Sequence, residues 1–306
     1  MLTAEQKEAR KVGVGGSDVA AILGLSKWKT PLEVYLEKVG ELESRNDEEY
    51  GQIEDKVDSI HFGNVLEEVV ADEFSRRNDM KVVRKNAMIH HKQHDFMLAN
   101  IDRNILKVDA GLECKTSGAF MVSDWGPSGT DEFPDYYLTQ CVHYMNCTGF
   151  SGWYLAVLIG GNQYRQYYVE QDDELAEMVL QGVKDFWKRV TDRDRPDYDF
   201  THRSTKDLIN RLYPGTNGET IHLPGNLVHW QKVREEAAAR IKEDTAVVDA
   251  CKNRISAAMG ESAVGIIDDL GLQYKRRKVN KKEFVSPATS YIDMRSSKYT
   301  PPAEDS

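Results

Sequence analysis

Residues 101–117 read IDRNILKVDAGLECKTS. The pattern predicts the end of one strand, a turn, and a second strand over Gly111–Thr116. Alternation puts Leu112, Cys114 and Thr116 on one face of that second strand, and Glu113 and Lys115 on the other. The preceding strand, FMLANID, carries Asn100 and Asp102 on one side, while Met97, Ala99 and Ile101 fill the other. Three ionisable groups therefore stand where a sheet core is expected. Two readings are open. One is a buried carboxylate–lysine ion pair that ties two strands together. The other is an oxygen-rich site for a divalent cation.

The segment HFGNVLEEVVADEF predicts a helix over about Gly63–Arg77, with Phe62, Leu66, Val69, Val70 and Phe74 as its apolar stripe. At 100° per residue Glu67 lies on the shoulder of that stripe, and Glu68 points nearly opposite it, toward solvent. Glu67 is either a boundary residue or a third carboxylate beside Asp102 and Glu113. Carboxylates that converge raise one another's pKa, and a bound cation removes the conflict. A ligand set without Cys or His suits Mg²⁺ or Mn²⁺.

Working outward, VGVGGSD is a glycine-rich turn feeding a helix over residues 18–23, with Ser17 as the expected N-cap. It reads as a capped turn or as a place where backbone amides meet a phosphate. No Gly-Lys-Ser/Thr follows, so it is not an ATP-binding P-loop. Thr30-Pro31 opens a second helix that runs to Val39. Strands are expected over Lys81–His90, Phe96–Asp102, Gly111–Thr116, Gly152–Ile159 and Gln163–Glu170, and helices over Asp135–Asn146 and Asp172–Val190. On the Asp135 helix Leu138, Cys141 and Met145 form the core stripe, and Gln140 shares a polar-aromatic side with Tyr136, Tyr137, His143 and Tyr144. That side faces a cleft or a neighbouring loop. Trp28 reads as a packed rim residue or as a ring that stacks on a base.

These elements define a mixed α/β domain over residues 1–195. A C-terminal extension, 196–306, follows with a different texture. It contains a helix over Leu227–Met259, whose stripe (Trp230, Val233, Ala237, Ile241, Val248, Cys251, Ile255, Met259) is expected to pack on its own domain, with a partner-binding role as the second reading. The basic segment YKRRKVNKK (274–282) reads equally as a solvated hairpin or a phosphate contact. The tail RSSKYTPPAEDS is expected to be disordered.

The 306 residues are 40% hydrophobic, enough for a sizeable core, and no stretch nears the roughly 18 apolar residues of a membrane span. MLTAEQKEARK lacks the apolar run of a signal peptide, so a cytosolic protein is expected. The net charge of −10 argues against a surface built throughout to grip nucleic acid, though not against a local basic channel. Residues 41–61 hold eight acids against Arg45 and Lys56, and read as a solvated or mobile insertion. Cys114, Cys141, Cys147 and Cys251 lack metal-site spacing and are expected to be buried free thiols. His90, His91 and His94 in HHKQHD offer no fixed metal geometry.

Asp102 followed by Glu-x-Lys on the next strand resembles the signature of the PD-(D/E)xK nuclease superfamily. Three further segments resemble the YqaJ-like viral recombinases, relatives of the phage lambda exonuclease. They are GVGGSDVAAILGLSKWKTPLEVYLEKVG, HFGNVLEEVVADEF with Gly63 and Glu67 in a Gly-x-x-x-Glu helix, and YYLTQCVHYMNCTGFSGWYLAVLIGG with Gln140. The likeness covers about residues 8–195. It implies a restriction-endonuclease-like mixed sheet flanked by helices, with a mostly helical C-terminal extension. It further implies that Asp102, Glu113 and the main-chain carbonyl of Cys114 hold Mg²⁺, or Mn²⁺ in its place, with Glu67 acting directly or through water. Lys115 would orient the attacking water, and Arg10 with Ser17 would meet a 5′-phosphate. The implied activity is 5′→3′ digestion of linear double-stranded DNA to 3′ single strands. The implied partner is a single-strand annealing recombination protein, the implied assembly a trimeric ring, and the setting a phage- or prophage-carrying bacterial cytoplasm. A structure-specific or nicking endonuclease, and a non-catalytic DNA-binding module, are the alternatives.

Overall fold

In a computed structural model the described residues are 11–43, 54–85 and 87–279, with the backbone alone for 54–60. Arg10, residues 44–53 of the acidic stretch, the end of the basic segment from 280, and the tail lie outside them. The described chain forms two compact units that divide between Tyr213 and Pro214.

The first unit is built on a five-stranded sheet of order β2-β5-β6-β7-β8. Its strands are β2 (Val82–Arg84), β5 (Arg103–Ile105), β6 (Ala110–Ser117), β7 (Gly152–Ile159) and β8 (Gln163–Glu170). Only the β6–β7 pair is parallel in this sheet, with Glu113 opposite Leu155 and Lys115 opposite Val157. A smaller sheet joins β1 (Val14–Gly15), β4 (Met97–Ala99) and β3 (Ile89–His90), with β1 and β4 parallel. The single strand expected over Lys81–His90 is thus two short strands in different sheets, and β5 was not foreseen.

Helices cover both faces of the main sheet. Helix α3 (Glu54–Asn78) lays Val70, Ala71 and Phe74 on Ile105, Leu112, Cys114 and Ala156. It begins within the acidic stretch, well before Gly63. The opposite face is the larger core, where Trp153, Leu155 and Val157 meet α1 (Gly16–Ile22), α2 (Pro31–Val39), α4 (Asp135–Thr148) and α5 (Asp173–Asp192). Caps fix several of these ends. Thr30 Oγ1 accepts from Glu33 N at 3.2 Å, and Asp172 Oδ1 from Leu175 N at 2.7 Å. On α5 the buried set Ala176, Val179, Val183, Phe186 and Val190 falls at helical spacing. Gly111 permits the β6–β7 contact, since a Cβ there would lie 2.3 Å from the Trp153 ring.

Past Arg195 the chain stays in this unit. Helix α6 (Thr205–Leu212) buries Leu208 in the larger core, and Arg211 Nη1 bonds the buried Glu33 Oε1 at 2.6 Å. The compact unit therefore runs on to Tyr213.

The second unit holds α7 (Leu227–Met259) and an antiparallel hairpin of β9 (Val264–Ile267) and β10 (Leu272–Lys275). No residue of α7 is buried, and Trp230 and Ile241 are each more than 60% exposed, so the stripe does not form the expected core. Cys251 is exposed as well, whereas Cys114, Cys141 and Cys147 are buried free thiols. Among the described residues no helix is long and apolar enough to cross a membrane.

Candidate active site

The sheet ladder explains where Asp102 sits. Pairing of β5 with β6 ends at Arg103 opposite Leu112. The N–H of Cys114, beyond the last pair, donates instead to Asp102 Oδ2 at 2.8 Å. Asp102 thus caps the end of the β5–β6 ladder while its carboxyl reaches a cavity of about 170 Å³. Glu113, Asn100, Gln140, Gly15 and Ser17 also line that cavity.

Glu113 and Lys115 project from the face of β6 that α4 covers, the face opposite Leu112 and Cys114. Lys115 Nζ donates to Glu113 Oε1 in a short contact, and Gln140 Nε2 donates to the same oxygen at 2.6 Å. Gln140 Nε2 also lies 2.8 Å from the Tyr144 hydroxyl, one helical turn along α4. Glu113 Oε2 is buried and accepts no hydrogen bond among the described residues. A buried carboxylate oxygen without a donor is costly, and it is the oxygen a cation would take.

The electrostatics agree. Burial, then the neighbouring Glu113 carboxylate, pushes Asp102 well above the usual carboxylate range, against the pull of Lys115. Burial alone would lower Lys115, but Glu113 and Asp102 overcome it and hold the ammonium above its ordinary value. Lys115 is therefore a protonated group, suited to positioning and charge stabilisation. Burial likewise raises the Cys114 thiol, with Asp102 adding to the effect, so the side chain is an inert thiol packed on α3.

Glu67 meets the site at one remove. It does not line the cavity; Arg103 Nη1 holds its Oε1 at 2.6 Å and Arg84 Nη2 at 3.0 Å. Glu68, expected to be solvated, accepts from Arg103 Nη2 at 2.8 Å. Arg103 Nη1 also bonds the Asp102 carbonyl at 2.8 Å, linking Glu67 to the site at one remove. Among the described residues no three His, Cys, Asp or Glu side chains are grouped to hold a metal ion. The oxygen donors facing one another across the cavity are Asp102 and Glu113.

The glycine turn forms one wall. Helix α1 starts two residues earlier than expected, with Gly15 at the N-cap, so exposed Ser17 is inside the helix. Gly16 lets the helix start touch α4, since a Cβ there would lie 2.5 Å from the Tyr144 ring and 3.1 Å from Gln140 Cγ. Asp18, the acidic neighbour of Ser17, accepts from Gly15 N at 3.3 Å and from Lys38 Nζ at 2.8 Å. Its charge is balanced by Lys38 on α2. Arg10 lies outside the described residues.

Arg103 and Tyr144 are the parts the sequence reading missed as site residues. Tyr144 stands four residues from Gln140 on a helix, a spacing that brings side chains together, so that signal was present. Arg103 carries no such signal, because its partners lie on a distant helix.

Comparison with known proteins follows the same lines. Residues 5–151 match the model of the YqaJ-like viral recombinase domain. The chain is 37% identical over 217 residues to an uncharacterized protein, YqaJ, of Bacillus subtilis strain 168. That match covers 70% of this chain and spans 65% of the length of the relative. An alkaline exonuclease from Laribacter hongkongensis, LHK-Exo, shares the fold, with a TM-score of 0.50 and 17% identity over 69% of this chain and all of that one. The same exonuclease in complex with dAMP gives a TM-score of 0.50 and 17% identity, over 62% of this chain and 94% of that one. The ordered motifs and the mixed sheet between helices agree with this match, which makes residues 5–151 similar to the YqaJ-like viral recombinase domain.

Proposed function

We propose that the chain is a metal-dependent exonuclease that digests linear double-stranded DNA from its 5′ ends, leaving 3′ single strands for phage-type recombination. The observation that carries this reading is the pairing of Asp102 with Glu113 across one cavity, with Lys115 and Gln140 fixed on Glu113. The family match and the fold likeness to an alkaline exonuclease point the same way.

The residues present fit a hard divalent cation. Two carboxylates share a confined space, and a buried oxygen of one lacks a donor. Asp102, Glu113 and the main-chain carbonyl of Cys114 would hold Mg²⁺, with Mn²⁺ able to substitute and Glu67 contributing through water. When bound, the ion supplies charge neutralisation at the phosphodiester and a water that ionises near neutral pH. The chain's own groups do the rest. Lys115, kept protonated, orients the water and offsets charge on the phosphate. Gln140 fixes Glu113 Oε1, leaving Oε2 as the oxygen that would hold a cation. Ser17 on the cavity wall, with Arg10, would receive a terminal 5′-phosphate.

The same reading takes the first compact unit, which runs to Tyr213, as the nuclease domain and residues 214–306 as an extension. It expects a bacterial cytoplasm with a phage or prophage origin, a single-strand annealing partner, and a trimeric ring around the duplex.

A digestion time course in Mg²⁺ tests the activity, using 5′-phosphorylated linear, 5′-hydroxyl linear and circular duplexes. The expected order is rapid, slow and none. Lys115→Ala should slow digestion by about a hundredfold or more. Equal loss of all three duplexes would sink the end-dependent reading, and no loss of any would sink the nuclease reading.

A further inference from the structure

Lys115 stands at the inner end of a continuous run of rings. Its Nζ lies 5.2 Å from the centre of the Tyr137 ring. Tyr137 meets Tyr136 edge-on at 4.4 Å, and Tyr136 meets Trp28 edge-on at 4.9 Å. Behind them, buried Trp125 stacks on Tyr137 at 5.3 Å and supports the run from below. Trp28, at the outer end, is 50% exposed.

Cations flank the run. Lys27 Nζ is 5.9 Å from the Tyr136 ring, and the Arg203 guanidinium is 5.9 Å from the Trp28 ring. Lys27 pairs with Asp124 at 3.1 Å yet keeps 49% of its side chain exposed. In a chain of net charge −10, two exposed cations beside the half-exposed Trp28 ring and the half-buried Tyr136 ring are a local departure from the general surface.

The outer end is held rigidly. Ser26 Oγ accepts from Trp28 N at 3.1 Å and from Lys29 N at 3.2 Å. His202 Nε2 bonds Ser26 O at 2.8 Å, and Arg203 Nε donates to Lys27 O. A ring fixed before its ligand arrives loses little entropy on binding.

Rim packing would account for any one of these rings. It does not account for an unbroken series that starts at Lys115, ends in a half-exposed indole and carries a cation at each outer step. Unpaired bases stack on such rings regardless of sequence, while cations follow the phosphates. Duplex DNA hides its base faces and has no use for them.

We propose that Tyr137, Tyr136 and Trp28, with Lys27 and Arg203 at the margin, form a binding track for single-stranded DNA that leads away from Lys115. This deepens the nuclease reading by naming the form of DNA next to the site. Its test does not depend on hydrolysis.

The full chain in EDTA is titrated against a short fluorescein-labelled oligothymidylate and against a blunt duplex, with fluorescence anisotropy as the readout. Trp28→Ala should weaken oligothymidylate binding about tenfold, and Trp28→Phe should restore most of it. Duplex binding should change by less than about twofold. Arg203→Gln, at an exposed position, should weaken oligothymidylate binding about threefold and flatten its salt dependence. It serves as the second test if a thermal melt shows that Trp28→Ala does not fold. An unchanged affinity in the folded variants overturns the proposal, as does an equal loss on both DNA forms. Absence of measurable oligothymidylate binding by the wild type also overturns it. The Mg²⁺ digestion run beside it reports separately on the nuclease reading.

Discussion

Arg103 bonds Glu67, Glu68 and the carbonyl of Asp102 at once while only 2% exposed. Replacing it with Met keeps the volume and removes the charge. Glu68 is 62% exposed and Glu67 18%, so both carboxylates can return to water, and the loss is moderated. Arg103→Met should lower the unfolding free energy by about 1–3 kcal/mol in urea titrations. A cycle with Glu67→Gln should show coupling of at least ~0.5 kcal/mol; strict additivity would mean that Arg103 acts by packing alone. At this scale the sequence was readable where one element carried the whole signal. Period-two alternation exposed Glu113 and Lys115 as charges on a core face. Arg103 was unreadable because its role depends on α3 crossing β5, and the same crossing sets how Glu67 meets the site through Arg103.

Among elements, the capped helices and the β7–β8 hairpin were legible, since Thr30-Pro31, Asp172 and Gly160-Gly161 mark their ends. The three-residue strands β2 and β5 were not, because three residues are too few to show a period. Helix α4 carries a second consequence through His143. It is fully buried and bonds the Leu98 carbonyl at 3.0 Å, tying α4 to β4. Burial lowers its pKa from 6.5 to about 4, against the pull of that bond. Between those values the unfolded chain takes up a proton that the folded chain refuses, so stability falls as the pH drops through the window. The loss should approach about 3 kcal/mol near pH 4. His143→Gln keeps a donor for Leu98 and cannot titrate. The difference between wild-type and variant stability curves, measured in urea from pH 7 to 4, should carry that slope. Parallel curves would show that His143 does not titrate as argued.

At the scale of the whole molecule the change of texture past Arg195 suggested a boundary that the packing does not respect. Leu208 and the Arg211–Glu33 pair bind α6 into the first unit. A chain ending at Tyr213 should therefore melt within about 2 °C of the first-unit transition of the full chain. One ending at Arg195 loses an apolar anchor and the partner of a buried carboxylate, a loss of about 3–5 kcal/mol. Its melting temperature should fall by roughly 5–15 °C. Equal melting of the two shortened chains would restore the boundary at 195. The placement of Glu113 and Lys115 also bears on the molecule's history. They occupy core positions opposite Leu155 and Val157, where apolar side chains of similar volume would be tolerated at least as well. Stability alone gives no reason to retain them. Under the proposed nuclease function, a gene copy released from the need to cut DNA would drift there first, toward leucine or methionine, and become sturdier. Positions 113 and 115 are thus where a working copy can be told from a relict.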